Sequence, residues 1–145
     1  KKIKKIFREN KNINNYFDNN NLNIAIHIRR HNTHDSRIDG TNIPDDVFSN
    51  VINKLRDIYS SKKPLFHLYS QGNIENFKIF NSQDIVLHLN DSTEDAFTGM
   101  VLAEILVTSA SSLSYTAGIL SEGTVYYIPF WHPPLPNWIS INSLS

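Results

Sequence analysis

Short apolar runs recur along the chain at helix-length intervals, and this alternation restricts the fold more than any other feature. The runs are Leu22–Ile28, Pro64–Ser70, Asp84–Leu89, Ile105–Thr108 and Thr124–Ile128. In the first, Ile24, Ala25, Ile26 and Ile28 read as a strand buried on both faces, the signature of a parallel sheet. Helical signals fill the gaps. Pro44-Asp45-Asp46 opens a helix, with proline near the start and acids in the first turn, and Val47, Val51, Leu55 and Ile58 keep helical spacing through Ser60. Asn73 can cap a short helix carrying Ile74, Phe77 and Phe80. Ser92 is a cap with Asp95 at the capping-box position, and that helix buries Phe97, Met100, Val101 and Ala103. Leu113 to Leu120 forms a further helix whose Ser114, Ala117 and Gly118 allow close packing on a sheet. Strands separated in this way cannot pair as hairpins. Right-handed crossovers make the domain α/β, a Rossmann-like doubly wound parallel sheet covered on both faces.

The flanking segments differ. Residues 1–21 are basic and then rich in asparagine, and Ile3, Ile6, Phe7, Ile13, Tyr16 and Phe17 fall on one helical face. They read as a linker or edge helix, ahead of a domain spanning 22–145. His31 to Ile43 is polar, contains Gly40 and is long for a strand-to-helix connection; such loops often carry function. Beyond Pro129, Pro133, Pro134 and Pro136 should end regular structure, with Trp131 and Trp138 pinning the tail to the body.

Composition removes several classes of function. The formal net charge is zero over 145 residues, which gives no support to a nucleic-acid partner or a membrane surface. No apolar run is long enough to cross a bilayer. Without cysteine there is no disulfide, thiol catalysis or thiolate metal site, but this does not fix the compartment, a Golgi or ER lumen or the cytoplasm depending on the missing N-terminus. The chain begins at Lys1 and reads as a piece of a longer protein. Asn90-Asp91-Ser92 is a glycosylation sequon of a kind common by chance.

Chemistry concentrates where strands end. Arg29 and Arg30 follow the first strand, on the edge where ligands of open α/β sheets bind. Two guanidiniums suit a pyrophosphate, since each presents a planar fork of donors and keeps its charge. The competing reading makes one arginine a solvated strand end and pairs the other with an acid. The second candidate is the serine-rich turn Thr108 to Tyr115, a strand end running into a helix start. There unpaired backbone N–H groups and the helix dipole favour phosphate. Against this, Ser111 or Ser112 can simply cap the helix. No G-x-G-x-x-G, no G-x-x-x-x-G-K-[ST] and no G-x-S-x-G is present. The spacing of His27, His31 and His34 is a weak metal pattern, and no metal is expected. His67 and His88 lie inside strands and read as satisfied core or edge residues.

His27-Ile28-Arg29-Arg30 resembles the H-x-R-R motif of the α1,2-, α1,6- and protein O-fucosyltransferase superfamily. Met100 to Tyr115 resembles that superfamily's later motif, an Ala-Asp-hydrophobic strand followed by a serine-rich turn. Order and separation agree, and the resemblance covers Leu22 to Trp131. It implies the C-terminal, donor-binding half of a GT-B glycosyltransferase. Such an enzyme transfers fucose from GDP-fucose to a glycan or protein acceptor with inversion, without metal or cofactor. The isolated half would be inactive without its N-terminal partner domain.

Carried over to this chain, Arg29 would bind the β-phosphate and support the leaving GDP, and Arg30 would hold the local fold or the donor. His27 would contact the nucleotide, Ser109, Ser111 and Ser112 the phosphates, and Asp95 the guanine. The motif often continues into Gly-Asp or Thr-Asp, but here His31-Asn32 follows, so a catalytic carboxylate would have to come from Asp35 or Asp39. Glu104 stands where Asp is usual. The Asn32 departure sustains a second reading, a non-catalytic nucleotide-sugar or glycan-binding module.

Overall fold

A computed structural model of the chain describes residues 17, 20–30, 43–129 and 132–144. Its strands are β1 (Leu22–His27), β2 (Pro64–Ser70), β3 (Ile85–Leu89), β4 (Ile105–Val107), β5 (Thr124–Tyr127) and β6 (Ile139–Ser140). Its α-helices are α1 (Asp45–Ile58), α2 (Thr93–Leu102) and α3 (Ser112–Leu120), and 3-10 turns span Ser60–Lys62, Ile74–Phe80 and Ile141–Leu144. The strands form one sheet in the order β3-β2-β1-β4-β5-β6, with every pairing parallel. This is the Rossmann-like doubly wound arrangement expected from the alternation. The expected linker or edge helix over residues 1–21 falls outside the described residues except at its end, and Asp35, Asp39, His31, His34 and Trp131 lie outside them altogether.

Alternation along β1 sorts the core into two layers. Ile24, Ile26 and Ile28 join Phe66 and Leu68 of β2, the α1 residues Phe48, Val51, Ile52 and Leu55, and Phe77 and Phe80. Ala25 lies on the other face with Tyr69, Leu106, Met100 and Val101 of α2 and Ala117 of α3. The buried stripe of α1 includes Phe48 and Ile52, and excludes Ile58, which is 54% exposed at the helix end. There Lys63 takes a left-handed turn (φ 52°) into β2. The segment after Asn73 is 3-10 and kinked at Phe77. Ser92 caps α2 by accepting from the Asp95 N–H at 3.1 Å.

The expectation that the prolines end regular structure is corrected. Ile139–Ser140 adds to β5 as a parallel strand, and a 3-10 turn follows. The prolines lie in the connection, which is held by backbone anchors. The Tyr115 and Tyr127 hydroxyls donate to the Pro133 and His132 carbonyls, and Trp138 packs beside Tyr127 and against α3 at Gly118. The end of the described chain then crosses to α1, where Lys54 Nζ donates to the Leu144 carbonyl at 2.6 Å.

Candidate functional site

β1 is hydrogen-bonded to β2 on one side and β4 on the other. The chain leaves β1 through α1 on one face and reaches β4 through α2 on the opposite face. The gap between the carboxyl ends of β1 and β4 is therefore a topological switch point, where ligands of open α/β sheets bind. The two candidate segments meet there. The Arg29 N–H donates to Ser109 Oγ at 3.3 Å, across 80 positions of sequence. Ile28 is tied to β2 as well, through its N–H to the Tyr69 carbonyl (3.0 Å) and its carbonyl to Ser70 Oγ (2.6 Å).

The serine turn is built largely from its own hydroxyls. Ser109 N–H donates to Ser114 Oγ (3.0 Å), and Ser111 Oγ accepts from the Leu113 N–H (3.1 Å), capping α3. Ser109 and Ser114 are buried, whereas Ser112 is exposed at the first position of the helix. Ser111 thus acts as a cap, and Ser109 as the tie to β1. Asp95 is exposed in the first turn of α2, which also begins at the carboxyl edge.

The arginines separate. Arg30 lies toward α1: its guanidinium grips Asp45 with both terminal nitrogens (2.5 and 3.1 Å) and sits 4.4 Å from the centre of the Phe77 ring. It also donates to the Asn76 carbonyl at 3.4 Å. This is the acid-paired arginine of the competing reading. Asp45 was legible in the sequence only as a first-turn acid, and Ser70 and Phe77 only as strand and helix residues. Arg29 shares the parity of His27, and its charge is felt there. Burial, and then the Arg29 charge, depress the His27 pKa from 6.5 to about 4. The residue is 8% exposed, and its Nδ1 has no hydrogen-bond partner among the described residues.

That depression has a sign. Between about pH 6.5 and about pH 4 the unfolded chain binds a proton at this position that the folded chain does not. Stability from His27 is complete above the unfolded value and declines as pH falls toward the folded one. The shift corresponds to about 3 kcal/mol. Urea unfolding near neutrality and near pH 4 should show this loss, and His27→Gln should flatten the dependence; an equally steep profile in a folded variant would exclude His27 as its source.

Glu104 lies at the other end of β4, where it accepts from the Asn23 backbone N–H at 3.1 Å and so joins β1 to β4 at their amino ends. Among the described residues no group of three or more His, Asp or Glu side chains is placed to hold a metal, and no helix is long and apolar enough to cross a membrane. No protein-family model, curated protein or solved structure matches the chain.

Proposed function

We propose that this domain binds a nucleotide sugar, GDP-fucose, and forms the donor half of an inverting fucosyltransferase of the GT-B type. The observation that carries the reading is the Arg29–Ser109 junction. It brings the backbone of Arg29, whose side chain is a permanent cation, to the turn that leads into α3, at the switch point of a parallel sheet. A diphosphate suits that place, because a guanidinium and a helix N-terminus both favour negative charge without a metal. His27 supports the reading, since its buried Nδ1 is a polar atom for which a ligand can supply the partner.

The chemical demand in fucosyl transfer falls on the leaving pyrophosphate. Charge develops on the β-phosphate as the glycosidic bond breaks, and Arg29 would stabilise it through hydrogen bonds from its guanidinium. A carboxylate would take the acceptor hydroxyl proton, with Asp35 and Asp39 as the candidates in this chain. Arg30 would act indirectly, holding α1 and the Ile74–Phe80 turn to the end of β1. Binding without transfer is the second reading, and the replacement of the usual acid by Asn32 favours it.

Calorimetry with GDP in the presence of a chelator tests the first step, and saturable binding is expected. Binding restored only by a divalent ion would overturn the metal-free site. GDP-fucose bound but never consumed by the full-length protein would favour the non-catalytic module.

A further inference from the structure

On the face of the sheet that carries α2 and α3, polar side chains run in a line from the start of β4 to the end of β3. Asn23 Nδ2 donates to the Asn21 carbonyl (3.2 Å) and toward Glu104 Oε1 (3.4 Å), which turns its Oδ1 to His67 Nε2 at 2.9 Å. His67 Nδ1 stands 3.0 Å from His88 Nε2, and His88 Nδ1 is 3.6 Å from Asp91 Oδ2.

Protons in this line can be counted. An amide oxygen only accepts, so His67 Nε2 carries a hydrogen. The neutral ring then has a lone pair at Nδ1, which requires His88 Nε2 to be the donor. In neutral His88 this leaves Nδ1 bare toward the Asp91 carboxylate. One proton can enter there without any ring moving, and it gains the carboxylate as a partner. A second proton would sit on His67 Nδ1, opposite the His88 N–H at 3.0 Å, setting donor against donor and charge against charge.

The surroundings point the same way. His67 is buried beneath the Phe17 ring (4.5 Å between centroids), and His88 stacks on Tyr69 at 4.5 Å. Among the described residues, the charged groups next to this line are Asp91 at one end and Glu104, behind Asn23, at the other. β1 contributes Asn23 and the neutral His27 to this face, and α2 contributes Met100 and Val101, with Glu94 and Asp95 exposed in its first turn. Burial lowers both pKa values, that of His67 to about 4, while Asp91 works against burial at His88.

We propose that His67 and His88 form an acid-sensitive latch, which holds the edge strand β3 to β2 while the pair carries at most one proton and releases it on taking up the second. Among the described residues β3 pairs with β2 alone, and α2 starts soon after it. Opening would loosen this side of the carboxyl edge, whether or not a nucleotide binds there.

The test follows the imidazole nitrogens by NMR from about pH 7.5 to about pH 3.5, together with amide hydrogen exchange over Ile85–Leu89. Both rings should be Nε2–H tautomers near neutrality, and the first proton should appear on His88. Once opening takes up the second proton, the opening constant of β3 should rise about tenfold per pH unit. In His88→Gln the amide can donate to neutral His67 or turn to accept from its protonated form, so at equal pH β3 should be better protected than in the wild type, leaving only the acid loss that His27 gives both proteins. An Nδ1–H tautomer on either neutral ring, first protonation at His67, or the same acid-dependent opening in the variant would overturn the latch. If the variant does not fold, the wild-type ring titration decides.

Discussion

Arg29→Lys is expected to slow GDP-fucose turnover by about 10²–10³-fold while changing GDP affinity much less. This effect depends on the proposed site and on the shape of the guanidinium. Lysine keeps the charge but replaces a planar fork with a single ammonium that cannot hold two phosphate oxygens in fixed directions. If Arg29 supports charge that develops only as the pyrophosphate departs, the loss appears in turnover rather than binding. Arg30→Lys is the internal comparison. Its guanidinium is already committed to Asp45 and Phe77, so that change should cost about 1 kcal/mol of stability and have a smaller effect on turnover. The measurements are turnover by the full-length protein, GDP calorimetry and a thermal melt of each variant. A folded Arg29→Lys protein with unchanged turnover would remove Arg29 from the mechanism.

Gly123→Ala is expected to destabilise the domain by about 3 kcal/mol or more, beyond the usual cost of overpacking. A Cβ at this position would stand 2.1 Å from the Glu104 carbonyl oxygen and 2.7 Å from its carbon. Neither atom can swing aside. The same carbonyl accepts from the Thr124 N–H at 3.0 Å, and the Glu104 N–H donates to the Asn23 carbonyl at 3.1 Å. An added methyl must therefore push the entry of β5 away from β4, or β4 away from β1. Gly118→Ala offers a contrast: its nearest obstacle is the Trp138 ring, 2.8 Å from the Cβ position, which is a side chain able to shift. Urea unfolding of both variants should show the larger loss at Gly123. A loss below about 1 kcal/mol there would mean that the turn relaxes more easily than its hydrogen bonds imply.

Strand positions were legible because β1, β2 and β4 are buried enough to be written as apolar runs, and their parallel pairing followed from the helix-length spacing; their order across the sheet did not. The meeting of Arg29 and Ser109 was legible for the same reason, as both directly follow strands. The division of labour between the arginines was not. Arg30 finds its acid 15 positions later, across a loop, and local sequence does not indicate which of several acids will reach it. The serines of the turn were read as phosphate ligands or caps, and Ser111 is a cap. That Ser109 and Ser114 spend their hydroxyls on backbone depends on how the turn folds back on itself. β6 was hidden by its prolines, since what restarts the strand is the anchoring of the connection by Tyr115 and Tyr127 from elsewhere in the chain. His67 and His88 read as separate strand residues. Only the β2–β3 register, which sets His67 opposite Val86 and Tyr69 opposite His88, brings their rings together.

The central place of β1 has a consequence for synthesis. Its first neighbour, β2, emerges from the ribosome soon after it, but its second does not: Asn23 and Glu104, which join the β1 and β4 segments, are 81 positions apart. At about 5–20 residues per second, translation of that span takes about 4–16 s. Until it is complete, the nascent chain presents Ile24, Ala25 and Ile26 with one row of backbone donors and acceptors open, beside the apolar surface that α2 and α3 will later cover. For that interval the middle strand of the finished sheet is an edge strand. The growing chain's exposure to mispairing, and its need for a chaperone, then end when Ile105–Val107 clears the exit tunnel.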